Sequence, residues 1–172
     1  MNGQNPAEER ESLKTAWLRL LLRFALIALT GVLIFTKVFL LTRVRGNEMF
    51  PAIRDGDLLL AFRLQKDYAK NDVVVYSREG ETAVGRIAAL GGDVVTLDQS
   101  GILLVNGTEQ GGEIFYPTYA GEEQCYPYRV EADAVFVLGD HRPAARDSRE
   151  IGSVAEENVK GKVITVLRRR GI

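Results

Sequence analysis

The polar side chains that could do chemistry lie in two short segments of the sequence. The first segment contains Glu48, and the second contains Asp140, His141, Asp147 and Ser148. Two carboxyl groups that share one proton can hydrolyse an amide, so Glu48 with either aspartate is a candidate pair. Ser148 has a hydroxyl that could act as a nucleophile, but no base is evident for it in the sequence. Either chemistry requires a fold that brings the two segments together.

A metal site is the other chemistry that these residues could support. His141 is the only histidine of the chain, and with Glu48 and Asp147 it could supply three ligands. A histidine in such a turn more often makes a hydrogen bond that stabilises the turn, so we predict no metal and no cofactor. Cys125 is the only cysteine, which excludes an intramolecular disulfide and a thiolate metal cage.

Length and charge limit the classes of protein to which the chain can belong. Its 172 residues are enough for one domain with a modest core. It has 22 lysines and arginines against 23 aspartates and glutamates, a net charge of −1. A general nucleic-acid-binding protein needs a basic surface. We therefore predict no nucleic-acid partner.

One apolar segment differs from the rest of the chain. Residues 17–41 contain 19 apolar residues out of 25. The 22 residues 20–41 would span about 33 Å as a helix, enough for a bilayer core of about 30 Å. We predict a transmembrane anchor over residues 17–41, preceded by a short polar tail of residues 1–16. A buried core helix and a cleaved signal peptide are the alternatives, but T-R-V-R-G-N after residue 41 lacks a small-x-small cleavage site.

The remaining residues, 42–172, have the pattern of a β domain. Short apolar runs alternate with turn residues, and Asn106-Gly107 is the strongest hairpin signal. This pattern predicts a mostly β, antiparallel sandwich or barrel-like domain. Residues 107–130 are rich in glycine and proline and predict an irregular insertion or a small subdomain. The predicted strands are residues 58–62, 73–76, 94–97, 102–105, 134–138 and 161–167.

Three segments resemble motifs of the type I signal peptidase family. Residues 46–53 read G-N-E-M-F-P-A-I, which is similar to G-x-S-M-x-P-T-L. Residues 85–93 read G-R-I-A-A-L-G-G-D, which is similar to K-R-V-I-G-L-P-G-D. Residues 139–142 and 146–149 read G-D-H-R and R-D-S-R, which are similar to G-D-N-R and S-x-D-S-R. The resemblance extends over residues 17–167.

The resemblance implies a fold, a topology and a binding mode. It implies the signal-peptidase β fold, with a cytoplasmic N-terminus and the β domain outside the cell. Charge does not decide this orientation, because the two flanks of the apolar segment have four cations each. A groove would bind a small-x-small segment of a secreted protein as an added strand. The resemblance also pairs Asp140 with Arg86, and Asp147 with Arg142, Arg146 or Arg149. Residues expected to support the groove are Met49, Pro51, Arg86, Asp140, His141, Arg142, Asp147, Ser148 and Arg149.

The sequence departs from the family at both catalytic positions. The family uses a serine nucleophile and a lysine base, and these positions are Glu48 and Gly85 here. Because both the serine and the lysine are absent, the catalytic mechanism of the family cannot operate here. An ionised Glu48 would oppose the oxyanion of a tetrahedral intermediate. The same carboxylate could instead bind a lysine or arginine of a partner.

The leading hypothesis is therefore a membrane protein that binds secreted proteins without cleaving them. Catalytically incomplete relatives of this kind resemble accessory proteins of Gram-positive pili, which assist a sortase in joining pilin subunits as chaperones or scaffolds. Two alternatives remain open. One is an active type I signal peptidase with a non-standard mechanism, and the other is a regulatory partner of an active signal peptidase.

Overall fold

A computed structural model describes residues 6–110 and 115–168, and it divides into two compact units after Val38. The first unit is helix α1, Pro6–Val38. Proline is favoured in the first turn of a helix because its missing N–H has no helical partner there. Leu13–Val38 is long and apolar enough to cross a membrane, and residues 13–37 are exposed. The fold expectation of one N-terminal apolar helix is thus confirmed.

The predicted boundaries of the anchor need correction. The anchor was predicted over residues 17–41, but the helix ends at Val38 and Phe39–Arg43 forms strand β1. Phe39 pairs with Phe62 in the next strand. The backbone N–H and C=O groups of this apolar segment therefore form hydrogen bonds between strands rather than within a helix. The helix also begins earlier than predicted, because the tail of residues 1–16 is helical from Pro6. Residues 1–5 lie outside the described residues.

The second unit is built from two antiparallel sheets, which confirms the predicted fold class. A seven-stranded sheet has the order β1-β2-β11-β3-β4-β9-β10, and a four-stranded sheet has the order β7-β6-β5-β8. One-turn helix α2 is Ser148–Ile151, and a 3-10 turn covers Glu156–Asn158. The remaining strands are β2 (Leu58–Phe62), β3 (Val73–Arg78), β4 (Glu81–Leu90), β5 (Val94–Leu97), β6 (Leu103–Val105), β7 (Thr108–Glu109), β8 (Tyr128–Arg129), β9 (Ala134–Leu138), β10 (Val154–Ala155) and β11 (Val159–Leu167).

Turn chemistry explains two of the hairpins. Asn106 and Gly107 both have positive φ, which is the geometry of the predicted tight turn between β6 and β7. Glu79 and Gly80 have the same property between β3 and β4. The irregular segment 107–130 contributes β7 and β8 to the second sheet, and its residues 111–114 lie outside the described part.

One stretch of β4 has a free edge. β4 pairs with β3 from Glu81 to Arg86, but its pairing with β9 begins only at Arg86. Among the described strands, residues 81–84 therefore have a ladder partner on one side only. An unpaired strand edge can accept an additional strand. A cavity that Glu48 lines lies along this edge.

Candidate functional site

Glu48 lies in a tight turn that is fixed by the core. The Phe50 amide donates to the Asn47 carbonyl at 3.1 Å, and the adjacent Met49 side chain is buried. The Glu48 carboxylate accepts from Nη1 of Arg78 with both oxygens, at 3.0 and 3.1 Å. The cation that Glu48 binds in this structure is therefore an arginine of the same chain, 30 residues away.

Arg78 connects Glu48 to the tip of the β3–β4 hairpin. Its guanidinium also donates to the carbonyl oxygen of Arg146. The Arg146 side chain in turn makes two hydrogen bonds to the Glu79 carboxylate, at 2.7 and 2.9 Å. The hairpin tip is thus attached to the segment that contains the third motif.

Gly85, the position that the motif resemblance assigns to the lysine base, is closed by packing. Gly85 lies in β4 opposite Val74. A Cβ atom at Gly85 would overlap Cγ1 of Val137, and it would lie 3.3 Å from the Leu138 carbonyl and 3.4 Å from the Tyr76 ring. A long side chain therefore does not fit at this position without repacking of its neighbours.

Tyr76 is the largest side chain that fills this space. It is fully buried, and burial raises the pKa of Tyr76 to about 12. Arg78 lowers this pKa, whereas the carboxylates of Glu48 and Asp147 raise it further. The phenol therefore stays neutral next to the Glu48–Arg78 pair.

Replacing Tyr76 with phenylalanine is expected to reduce the loss of unfolding free energy at alkaline pH. The folded state favours the neutral phenol, so its contribution is complete below pH 10 and is lost as the pH rises towards about 12. The rise in the pKa of Tyr76 from 10.0 to about 12 corresponds to about 3 kcal/mol of unfolding free energy. Urea unfolding of the full chain in detergent, measured along this range, should show a steeper loss for the wild type than for Tyr76→Phe. An equal loss of unfolding free energy in the wild type and in Tyr76→Phe would contradict the raised pKa of Tyr76.

The predicted pairings of the two aspartates are found in the structure. Arg86 donates to both oxygens of Asp140, at 2.8 and 2.7 Å. Arg149 donates to Asp147 at 2.8 and 3.0 Å. Each carboxylate is thus held by its own arginine, as Glu48 is. This arrangement does not support a pair of carboxylates that share a proton.

Ser148 has a structural contact. Its side chain is fully buried, and its hydroxyl oxygen accepts from the Val137 amide at 2.9 Å. Asp147 is also buried and accepts from the Gly139 amide at 3.0 Å. These contacts attach the third motif to β9, so Ser148 does not face the groove as a nucleophile.

His141 stabilises the contact between the first and third motifs. Its backbone amide donates to the Glu48 carbonyl at 2.9 Å, and its Nδ1 lies 3.3 Å from the Asn47 carbonyl. Its ring packs against Tyr116, with centroids 4.8 Å apart. No group of three or more potential metal ligands occurs within residues 6–110 and 115–168.

Arg142 is a buried cation of the same segment. Its Nε donates to the Gly139 carbonyl at 2.8 Å, and the other nitrogens contact Thr118 and Gln110. Burial lowers the pKa of Arg142 to about 10. Together with Arg149, it makes the third motif a rigid support for the Glu48 turn.

A groove, here called the β1–β4 groove, runs along the free edge of β4. Its outer part is a cavity of about 580 Å³ between residues 42–45 and the start of β4. Its inner part is about 30 Å³ and is lined by Glu48, Met49, Arg78 and residues 82–84 on its deep side. The inner part is large enough for little more than a methyl group or one water molecule.

One hydroxyl in the β1–β4 groove contacts a lysine. Nζ of Lys160 donates to Oγ1 of Thr82 at 2.9 Å, and the contact is exposed to solvent. A lysine base must be neutral, and burial is the effect that favours its neutral form. This exposed pair lacks that environment.

Comparison with known proteins identifies the family. The family model described as "Signal peptidase, peptidase S26" matches residues 15–167. The chain belongs to the signal peptidase family. Signal peptidase I of Bacillus caldolyticus is 30% identical over 136 residues, which cover 70% of this chain and 74% of that protein. Signal peptidase I of Bacillus amyloliquefaciens is 26% identical over 166 residues, covering 90% and 89% of the two chains.

Two further relatives belong to the same group. Signal peptidase IB of Staphylococcus aureus is 24% identical over 160 residues and covers 81% of each chain. A crystal structure of a signal peptidase I from Enterococcus faecalis has 24% identity and a TM-score of 0.49, and it covers 58% of this chain and 97% of its own.

Sequence reasoning missed the residues that fill the signal-peptidase site. Arg78 and Tyr76 lie on β3, and Val137 lies on β9, outside the three motifs. The Glu79-Gly80 turn could have indicated a hairpin, and period-two alternation would then have placed Tyr76 and Arg78 on one face with Gly85.

Proposed function

We propose that this signal peptidase family member binds secreted proteins without cleaving them. The observation that carries the proposal is the closed position at Gly85, where Cγ1 of Val137 occupies the space that the Cβ of a lysine would need and the Tyr76 ring packs beside it. The other catalytic position holds Glu48, whose carboxylate is already paired with Arg78. Nucleophile and base are thus both replaced by residues with structural contacts.

Binding would use the free edge of β4. An extended segment can pair with Glu81 and Thr82, the exposed residues of this edge, in the β1–β4 groove, where backbone hydrogen bonds provide affinity. The inner cavity of about 30 Å³ then favours a small side chain at the residue that faces Glu48. This binding mode needs the groove and not the catalytic pair.

The location and the biological setting are part of the same proposal. Helix α1 would anchor the chain in the cell membrane, with the N-terminus in the cytoplasm and the β domain outside. The bound proteins would be pilins, and the protein would assist their assembly by a sortase as a chaperone or scaffold. This setting rests on the subfamily resemblance, and adjacent genes for a sortase and pilins would support it.

An active signal peptidase is the second candidate, because the relatives named above are called signal peptidase I. The Lys160–Thr82 contact is the arrangement in the β1–β4 groove that comes nearest to a nucleophile with a base. Its exposure to solvent argues against it, as described above. A test of function must therefore include a variant of this pair.

The test combines cleavage and capture of one precursor. The full chain in detergent is incubated with a secreted precursor that has a small-x-small site, beside an active signal peptidase as positive control. We expect no product and retention of the precursor. Thr82→Trp fills the groove and should weaken capture about tenfold or more, which corresponds to about 1.4 kcal/mol. Thr108→Trp, at a strand position of the other sheet that is also exposed, is the matched control and should capture normally.

The opposite results are equally clear. A product that Glu48→Ala or Lys160→Gln abolishes would establish the second candidate and reject the proposal. Equal capture by the Thr82 and Thr108 variants would place binding outside the groove. Co-purification with an active signal peptidase, without capture of the precursor, would favour a regulatory partner.

A further inference from the structure

Two arginines line the β1–β4 groove on the side formed by residues 42–45, here called the β1 wall. Arg43 ends strand β1, and Arg45 follows two residues later; both are exposed, and both line the outer and the inner cavity. Val44 between them is buried. Its amide donates to the Asp57 carbonyl at 2.8 Å, and its carbonyl accepts from the Gly56 amide at 3.0 Å. The backbone of the β1 wall is therefore fixed, and it presents two guanidinium groups to the groove.

Neither of these guanidinium groups has an internal carboxylate partner. Within residues 6–110 and 115–168, Arg43 and Arg45 form no ion pair. Arg78 in the same groove, by contrast, donates to both oxygens of Glu48. The planar donors of a guanidinium group match the two oxygens of a carboxylate. The two arginines of the β1 wall are therefore available to a carboxylate from another molecule.

The acidic residues that line the groove do not occupy the β1 wall. Oδ1 of Asp55 accepts from the Gly46 amide at 2.8 Å, so this carboxylate fixes the loop that follows the wall. Glu81 is exposed at the start of β4, in register with Arg78, and Glu48 is paired with Arg78 as described above. Residues 42–45 thus contribute two positive charges and no negative charge. Charges of one sign on the wall of a cleft attract ligands of the opposite sign.

Strand geometry gives the position of a complementary carboxylate in the bound segment. In the proposed function, an extended segment pairs with Glu81 and Thr82 and places a small side chain in the inner cavity. Side chains two residues apart in a strand point to the same side and are separated by about 6.8 Å. The outer cavity of about 580 Å³ has room for a longer side chain at that distance. Because Arg43 and Arg45 line both cavities, an acidic side chain at this position reaches them.

We propose that the β1–β4 groove selects extended segments with an aspartate or glutamate two residues from the small residue, and that Arg43 and Arg45 bind this carboxylate. The inference rests on the proposed function, because it requires capture of a segment along β4. It adds a chemical preference that capture alone does not need, since a neutral segment can form the same backbone hydrogen bonds. A basic segment is disfavoured, because its charge would lie next to two unpaired arginines.

The test compares three labelled peptides that differ only in charge. Each has a central alanine with a threonine on either side, and beyond the threonines stand two aspartates, two asparagines or two lysines. Charges on both sides make the result independent of the direction in which the segment pairs with β4. Fluorescence anisotropy with the full chain in a non-ionic detergent measures the dissociation constants. We expect the aspartate peptide to bind about tenfold more tightly than the asparagine peptide, and the lysine peptide to bind most weakly.

Arginine variants assign this preference to the β1 wall. Arg43→Gln/Arg45→Gln should bind the aspartate and asparagine peptides equally, because only contacts common to both peptides remain. Arg43→Glu/Arg45→Glu should bind the lysine peptide most tightly, a reversal that a loss of folding cannot produce. Arg129→Gln is the matched control and should keep the wild-type preference. Arg129 ends strand β8 of the other sheet, is exposed, and forms no ion pair in the described part of the chain.

The possible results separate this inference from the proposed function. Equal binding of the aspartate and asparagine peptides by the wild type, with both weakened by Thr82→Trp, would reject the acidic preference and leave capture along β4 intact. An aspartate preference that persists in Arg43→Gln/Arg45→Gln, or that Arg129→Gln also removes, would reject the role of the two arginines. No binding of any peptide would reject strand capture and this inference together.

Discussion

Replacing Gly85 with lysine is expected to unfold the β domain rather than restore a peptidase. The new Cβ would overlap Val137 and lie 3.4 Å from the Tyr76 ring. Overpacking of this kind costs about 1–3 kcal/mol, which is the effect expected for Gly85→Ala. The lysine variant should lose several kcal/mol more, because its ammonium would be buried without a partner. Glu48→Ser combined with Gly85→Lys should consequently show no cleavage.

A double-mutant cycle separates this clash from other effects. Val137→Ala removes the atom that a Cβ at position 85 would meet, so Gly85→Ala should cost less in that background than in the wild type. Urea unfolding of the full chain in detergent, followed by near-UV circular dichroism, measures all four proteins. Additive losses would show that Val137 does not close the site. A folded Glu48→Ser/Gly85→Lys protein with peptidase activity would reject the structural argument.

Replacing Asp147 with alanine should have a comparably large effect. Its carboxylate is buried and accepts from the side chain of Arg149 and from the Gly139 amide. It also caps the first turn of α2. Removing one partner of a buried ion pair leaves the other charge uncompensated, which costs about 3–5 kcal/mol. The same urea experiment measures the loss.

An exposed carboxylate in the same segment provides the control. Glu150 lies 3.5 Å from Arg146, and both side chains are about half exposed. Glu150→Gln should therefore change the free energy of unfolding by less than about 1 kcal/mol. If Asp147→Ala lowered the free energy of unfolding no more than Glu150→Gln does, the third motif would not support the Glu48 turn. Capture of a precursor should fall with Asp147→Ala in proportion to the folded fraction.

The sequence predicted the elements whose signals are local. The Asn106-Gly107 turn and the apolar runs of β2, β5 and β9 depend on neighbouring residues, and the structure confirms them. The end of the anchor was wrong because Phe39 to Leu41 are equally apolar in a helix or a strand. Only the pairing with β2, about 20 residues later, decides between these two conformations.

The side chains that surround Glu48 and Gly85 come from residues that are far apart in the sequence. The motifs identified the positions of Glu48 and Gly85, but not the contacts that Arg78 and Val137 make there. Glu48 and Arg78 meet only after β3 is in place, and the pairing of β4 with β9 shifts register between Ile87 and Ala89. A register shift changes which side chain of β9 lies against Gly85, and no local pattern encodes it.

The free edge of β4 also bears on self-association. A receptor for extended segments presents unpaired backbone groups whenever it is empty, and such an edge can pair with the same edge of a second molecule. Here only Glu81 and Thr82 of this edge are exposed, because Ala83 and Val84 are buried. Residues 42–45 form the opposite wall of the groove. We expect these features to limit edge-to-edge aggregation of the empty protein, because charges and a covering wall are devices by which natural sheets protect their edges.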